Sequence, residues 1–180
     1  MLPGRLGAAG LQIADQLGHT ACERQRQPEH IGVANNWPEV IDRYRLLMVE
    51  LAAEVYEVAE RLGVQPEAFD GVEPALYYPR ERRDWDAITR SLDALVERRR
   101  RDQKQRSGIW RDIMVRQRHT EVDEQLGQVV RHGAAVGLPL PLTRRLVERI
   151  HELEERRATP SWAHLDELDR IRQGALGGDS

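Results

Sequence analysis

Glu121 is the carboxylate of this chain whose neighbours most favour a chemical role. It lies in the segment 118–123, which reads Arg-His-Thr-Glu-Val-Asp. Thr120 and Asp123 are spaced as a variant of the capping box, with aspartate in place of glutamate, so a helix is predicted to begin at Thr120. Glu121 would then lie in the first helical turn, where the helix dipole stabilises a carboxylate. On spacing alone, that structural role is the commoner interpretation of such a glutamate.

Sequence patterns that would mark a cofactor, metal or nucleophile site are missing. The glycines at positions 4, 7 and 10 are spaced by three and follow no predicted strand, so they do not form a dinucleotide-binding fingerprint. No phosphate-loop lysine motif is present. The six histidines include no helical pair at four-residue spacing, and the single cysteine, Cys22, cannot build a thiolate zinc site. The residues alone therefore predict no metal site.

The spacing of apolar residues predicts a mostly or wholly α-helical chain. A first long helix is predicted from Trp37 to Gly63, with Pro38 in its first turn and the glycine as its C-terminal stop. Its apolar stripe consists of Val40, Ile41, Tyr44, Leu47, Met48, Leu51, Ala52, Val55 and Ala59. Residues 64–82 contain three prolines and are interpreted as a connection, after which Asp84 caps a second helix. No segment alternates apolar and polar residues at period two, so no strand is predicted.

Three further helices are predicted in the second half of the chain. The helix that begins at Thr120 is closed by Gly137 and contains Gly127, where glycine costs roughly 1 kcal/mol relative to alanine. Its buried stripe is predicted to be Val122, Leu126, Val129, Val130 and Ala134. We interpret Gly127 as allowing the close approach of another helix or of a ligand. Pro141 begins the next helix, and Ser161 caps the last one.

Length and charge fit one helical domain with differing ends. Residues 1–36 are weakly patterned, residues 37–173 form the helical domain, and residues 174–180 form a flexible tail. The net charge of −3 gives no large field of one sign, so a nucleic-acid partner is not expected. The most basic run, Arg98 to Arg101, is flanked by acidic residues and is interpreted as a solvated helix face.

The cysteine content and the hydropathy pattern favour a cytoplasmic location. Cys22 is the only cysteine, so an intramolecular disulfide is excluded and a reducing compartment is the simplest choice. No apolar run approaches the ~18 residues that a membrane-spanning helix needs. The first residues lack the basic-then-apolar order of a signal peptide. We therefore expect no membrane partner.

The segment around Thr120 resembles the C-terminal domain of the ketopantoate reductases (2-dehydropantoate 2-reductases). The family pattern is a basic residue, any residue, Thr-Glu-hydrophobic-Asp, then a glycine, paired aliphatic residues and Gly-x-Pro-x-Pro. The matching positions here are 118–123, Gly127, Val129, Val130 and residues 137–141. Residues 37–63, with Glu50 and Glu54, are similar to the family's first long helix, and residues 107–112 to its serine-containing segment. The likeness covers roughly residues 37–170.

The resemblance implies an all-α domain like the C-terminal half of 6-phosphogluconate dehydrogenase-type enzymes. In the family this half packs on a Rossmann domain, and NADPH reduces ketopantoate in the cleft between them. The family's glutamate corresponds to Glu121, which would line the cleft near the nicotinamide ribose and the substrate. The family's serine, which contacts substrate, corresponds to Ser107 or Gly108. NADPH is implied as a cofactor only where a Rossmann partner is supplied.

Two parts of the family pattern have no counterpart in the sequence. No Rossmann domain is predicted in it. The family's catalytic lysine begins a helix that precedes residues 37–63, but residues 1–36 hold no lysine, and Lys104 lies elsewhere. Hydride transfer needs a bound nucleotide and a group that polarises the carbonyl and supplies a proton. We therefore predict no catalytic residue in this chain and no activity from the chain alone.

Three functions remain in competition. The chain is one part of a reductase that pairs with a separate Rossmann-domain subunit, or it is a non-catalytic helical module that forms a homodimer. In the third, less favoured function, the arginine-rich helix binds nucleic acid or another anion, which would require binding that falls steeply with salt. A Rossmann domain encoded upstream would favour the first function, and a stable homodimer that does not bind NADPH would favour the second.

Overall fold

Helices with apolar stripes account for most of the residues described by the computed structural model, which are 37–69, 71–101 and 111–176. The helices are α1 (Trp37–Arg61), α2 (Pro74–Tyr77), α3 (Trp85–Arg101), α4 (Leu126–Ala135), α5 (Pro141–Glu154) and α6 (Ala163–Leu176). A 3₁₀ turn (Arg80–Arg82) and a π-helix (Arg111–Arg116) complete the elements. Within these ranges there is no strand, and only Phe69 and Val72 form an isolated β-bridge. The predicted all-α class is confirmed.

Helix α1 is the central element of the core. All nine residues of its predicted apolar stripe are buried. Its other faces are covered as well, because Val49, Ala53, Tyr56 and Val58 are also buried. Helices α3, α4, α5 and α6 all pack on α1. A polar side chain in the middle of α1 must therefore find its partners inside the protein, and two glutamates, Glu50 and Glu54, do so.

Three of the predicted helix ends are confirmed by local geometry. Gly63 follows α1 with φ of 67°, a left-handed conformation that glycine adopts without strain. Asp84 Oδ1 accepts a hydrogen bond from Ala87 N at 3.0 Å and caps α3. Ser161 Oγ accepts one from Ala163 N at 3.2 Å before α6. Helix α6 continues to Leu176, so the first residues of the predicted tail are helical.

The predicted helix start at Thr120 is wrong. Helix α4 begins at Leu126, and its N-cap residue, Gln125, makes no side-chain cap hydrogen bond. The capping box does not form because both of its side chains bind helix α5 instead: the Thr120 hydroxyl donates to Glu154, and Asp123 pairs with His151. Glu121 consequently lies in an irregular segment rather than in the first turn of a helix.

Two further predictions about this helix, one on its buried stripe and one on Gly127, also need correction. Ala134 is exposed, and Gly133 is the buried residue, lying against Leu140. A Cβ at Gly127 would meet Asp123 Oδ1 at 3.1 Å, so this glycine accommodates the preceding turn of its own chain rather than another helix.

Several predictions fall outside the described residues. The weakly patterned segment 1–36, the candidate Ser107 and the lone Lys104 all lie there. Among the helices that the structure does describe, none has the length and apolar character needed to cross a bilayer.

Candidate functional site

Glu121 lies on the surface, in the turn that joins the π-helix to α4. Its side chain is exposed, and its Oε2 accepts a hydrogen bond from Gln125 Nε2 at 3.4 Å. The backbone of this turn is fixed by Gln125 N, which donates to Glu121 O at 3.2 Å. Glu121 therefore presents a solvent-facing carboxylate on a backbone held by its neighbours.

Glu154, at the end of α5, fixes the residue before Glu121. Its Oε1 accepts hydrogen bonds from Thr120 N at 2.7 Å and from Thr120 Oγ1 at 2.6 Å. Its Oε2 lies 3.2 Å from His119 Nδ1, and the Glu154 side chain is only 3% exposed. The Thr120 hydroxyl in turn accepts a hydrogen bond from Val122 N at 3.2 Å. One buried carboxylate thus orients the backbone on both sides of Glu121, and we call Glu154 and Thr120 the clamp.

A second contact ties the same turn to α5. His151 Nε2 lies 3.1 Å from Asp123 Oδ1, one helical turn before Glu154. Val122, between the two contacts, is buried in the core. Polar contacts thereby attach the turn that carries Glu121 to α5, and the buried Val122 side chain anchors the same turn in the core.

Helix α5 is fixed to α1 by the buried carboxylate of Glu54. Its Oε1 accepts a hydrogen bond from Leu142 N at 3.0 Å, and its Oε2 accepts from Thr143 N and Thr143 Oγ1, both at 2.7 Å. These amides belong to the first turn of α5, which otherwise lacks acceptors for its N–H groups. Burial raises the pKa of Glu54 above its ordinary value, although the hydrogen bonds from Thr143 and Leu142 act to lower it. A continuous set of contacts therefore runs from α1 through α5 to the clamp.

The other buried glutamate of α1, Glu50, holds the connection between α2 and α3. Its Oε1 accepts a hydrogen bond from Arg83 Nη1, and its Oε2 accepts one from Arg80 Nε at 3.1 Å. Burial acts to raise the pKa of Glu50, but the hydrogen bonds and charges of Arg83 and Arg80 outweigh it, so the pKa lies below its ordinary value. This cluster is structural and has no contact with the turn around Glu121 among the described residues.

A further ionic cluster precedes the turn. Asp112, in the π-helix, accepts hydrogen bonds from Arg116 and Arg118 through the same oxygen, Oδ1. Burial acts to raise the pKa of Asp112, but the hydrogen bonds and charges of Arg118 and Arg116 outweigh it, so the pKa lies below its ordinary value. Arg118 and His119 are exposed, as their sequence context predicts.

Among the described residues no metal site is found, and the turn that carries Glu121 does not line the cleft at the end of α1. Within the described ranges, no group of three histidine, cysteine or acidic side chains could hold a metal ion. A cleft of about 330 Å³ opens at the C-terminal end of α1, where Tyr56, Glu60 and Tyr78 line it. No residue of the turn 118–125 lines this cleft. Glu121 is therefore not part of this cleft.

Comparison with known proteins identifies the family of the chain, which the geometry of the site does not. The family model described as "Ketopantoate reductase PanE/ApbA C terminal" matches residues 36–154, about two thirds of the chain. The chain belongs to this family. No curated protein and no solved structure matched it. The match ends at Glu154, so α6 lies beyond the part that carries the family pattern.

Membership in the ketopantoate reductase C-terminal family confirms the resemblance read from the sequence. The chain contains a domain of the kind found in NADPH-dependent reductases, and its fold is the all-α one that the resemblance implies. Sequence reasoning singled out Glu121 and noted Glu54 without a role, but it missed Glu154 and the Asp112 cluster. No local signal marks the roles of the two glutamates, since they act on residues 34 and 88 positions away.

Proposed function

We propose that the domain forms one wall of a reductase cleft and presents Glu121 to a substrate and a nicotinamide held by a Rossmann domain. The observation that supports this most directly is the family match across residues 36–154, which includes Glu121 and every residue that fixes it. The reaction would be the NADPH-dependent reduction of a 2-oxo acid such as ketopantoate, with hydride delivered to the carbonyl carbon and a proton to its oxygen.

The exposure of Glu121 supports this role over a purely structural one. A carboxylate that served only to stabilise the turn would be expected to accept backbone hydrogen bonds, as Glu154 and Glu54 do. Glu121 instead makes one long side-chain contact, to Gln125, and faces solvent. A second domain that packed against this face would cover the carboxylate and place it beside a ligand.

We further propose that residues 1–180 do not catalyse the reduction alone. The only lysine, Lys104, does not lie where the family's catalytic lysine is expected, so we propose that the partner supplies the group that polarises the carbonyl. The test measures NADPH oxidation with ketopantoate by the purified chain, first alone and then with a Rossmann domain encoded upstream of it. Activity only in the mixture supports the proposal. Activity of the chain alone, or a mixture that neither binds NADPH nor reduces ketopantoate, contradicts it.

A second candidate function is self-association as a non-catalytic helical module. In the part of the chain that the structure describes, five large apolar side chains are exposed: Leu46, Leu62, Phe69, Trp85 and Val115. Exposed apolar groups that form one contiguous patch are typical of surfaces that another protein covers. Sedimentation of the purified chain tests this candidate: a homodimer that binds no NADPH in the presence of the Rossmann domain favours it, and a monomer excludes it.

A further inference from the structure

We propose that Arg116 and Arg118 form a binding site for an oxyanion, a phosphate or a carboxylate group, next to the turn that carries Glu121. The geometry of the two arginines supports the site independently of the proposed function. The expectation that its ligand belongs to the cofactor or to the 2-oxo acid rests on the proposed function.

One carboxylate oxygen brings the two guanidinium groups together. Arg116 Nη1 lies 3.0 Å and Arg118 Nε lies 2.9 Å from Asp112 Oδ1, and the Asp112 side chain is only 10% exposed. Two donors on one oxygen must lie side by side. Because two cations share a single anion, the cluster carries a net positive charge.

The backbone adopts an unfavourable conformation to place the two arginines together. Residues two apart on a helix point to different sides. Here the π-helix ends at Arg116, and Gln117 takes the left-handed conformation, with φ of 52°. This turns the chain back, so that Arg118 N donates to Asp112 O at 3.0 Å. The left-handed conformation is unfavourable for a residue other than glycine, and such strain is concentrated at functional sites.

A third arginine supports the strained residue. Gln117 Oε1 accepts a hydrogen bond from Arg156 Nη2 at 2.7 Å, and Arg156 itself has φ of 59°. The partner of Arg156 is therefore an uncharged amide, which leaves its positive charge uncompensated by that contact. Both acids at the end of α5 are already engaged, Glu154 with Thr120 and Glu155 with Arg157.

Both arginines of the pair keep donors directed to solvent. Their side chains are 51% and 57% exposed. Each guanidinium has five N–H donors and uses one on Asp112, and neither makes another hydrogen bond to any residue in 37–69, 71–101 or 111–176. Arg118 contacts Asp112 through Nε, so its two terminal Nη groups remain available as a pair of donors. Such a pair matches the paired oxygens of a carboxylate or phosphate.

The test titrates the full chain with three probes: inorganic pyrophosphate, NADP⁺ and ketopantoate. Binding is followed by the Nε–Hε resonances of Arg116 and Arg118 at low ionic strength, because salt screens exposed charges. We expect saturable shifts at both arginines. Shifts with pyrophosphate and NADP⁺ alone identify a cofactor phosphate, and shifts with ketopantoate alone identify the acid's carboxylate. If none of the probes shifts these resonances in a saturable way, the proposal is overturned.

Variants supply the affinity test. The double variant Arg116→Gln, Arg118→Gln should bind the active probe at least about tenfold more weakly. Arg100→Gln is the matched control, since Arg100 is as exposed and pairs one-to-one with Glu97. Equal affinities for the double variant and the control would overturn the proposal. If the double variant does not fold, the shifts of the wild-type resonances still test the proposal. No reduction is measured, so failure here is distinct from failure of the proposed reductase role.

Discussion

Replacing Glu154 tests whether the clamp holds the turn that carries Glu121. The Glu154→Ala change removes a carboxylate that is 3% exposed and accepts two short hydrogen bonds from Thr120. Hydrogen bonds to a charged group contribute about 1.5–3 kcal/mol each, and leaving a buried donor unpaired costs a similar amount. We expect the free energy of unfolding to fall by about 3 kcal/mol. With a typical urea dependence of ~2 kcal/mol per molar, the unfolding midpoint should fall by roughly 1.5 M.

A double-mutant cycle separates the clamp from a general loss of packing. Thr120→Val removes the hydroxyl and keeps the shape of the side chain, and we expect it to cost about 2 kcal/mol in the wild type. In the Glu154→Ala background it should cost less by at least ~1 kcal/mol, because its partner is already gone. Urea unfolding followed by circular dichroism at the helix band measures all four proteins. Glu155→Ala, at the neighbouring exposed position, should leave the midpoint unchanged.

Two results would show that Glu154 does not hold the turn. One is a Glu154→Ala variant within ~0.5 kcal/mol of the wild type, which would place the residue among ordinary surface positions. The other is additivity of the two changes, which would mean that the carboxylate and the hydroxyl act independently. Hydrogen exchange gives a local check, since the amides of Thr120 and Val122 should lose protection in Glu154→Ala while those of α1 keep theirs.

Three further sets of substitutions test buried contacts of the fold. The pKa of Glu50 is lowered in the folded protein, so the unfolded chain binds the proton more readily. The ionised Glu50 therefore stabilises the fold above about pH 4.5, and this stabilisation is lost as the pH falls below it. The stability difference between the wild type and Glu50→Gln, measured by urea unfolding across this range, should therefore shrink as the pH falls, and a constant difference would contradict the assignment. Glu54→Ala leaves two amides of α5 without acceptors and should lower the free energy of unfolding by about 3–5 kcal/mol. Glu54→Gln keeps one acceptor and should lower it clearly less. Equal losses of stability in the two variants would be inconsistent with a capping role. Gly133→Ala would place Cβ 2.2 Å from Leu140 Cδ1 and should lower the free energy of unfolding by about 1–3 kcal/mol. Gly174→Ala has open space around it and should be neutral or stabilise α6 by up to ~1 kcal/mol. Thermal melts that rank the two variants in the opposite order would contradict the close contact between Gly133 and Leu140.

The helices were predictable because their signals are local. The stripe of α1 repeats at helical spacing, and caps such as Asp84 act within one turn, so periodicity and spacing suffice to place them. The same reasoning failed at Thr120 and Asp123. Their types and spacing match a capping motif, yet both side chains bind residues of α5 instead, 34 and 28 positions away. A local rule cannot anticipate which of two competing partners such a side chain takes.

The candidate site was only partly predictable for the same reason. The resemblance located Glu121, but the residues that fix it act across the fold and leave no pattern in the sequence. The pairing of Arg116 with Arg118 depends on a left-handed Gln117, a conformation that glutamine does not signal. The family match locates the domain in the chain, but it says nothing of how the turn that carries Glu121 is held.

The most direct test of the central claim compares the wild type with Glu121→Gln in the NADPH-dependent reduction of ketopantoate, each mixed with the Rossmann domain. Glu121 is exposed and makes one side-chain contact, so the substitution should leave the fold and the unfolding midpoint intact. We predict activity for the wild-type mixture and a loss of at least about tenfold for Glu121→Gln. Exposed Glu124, three residues on, is the matched control, and Glu124→Gln should keep full activity. Equal rates for all three proteins, or no reduction by the wild-type mixture, would contradict the assignment of Glu121 to the wall of a reductase cleft.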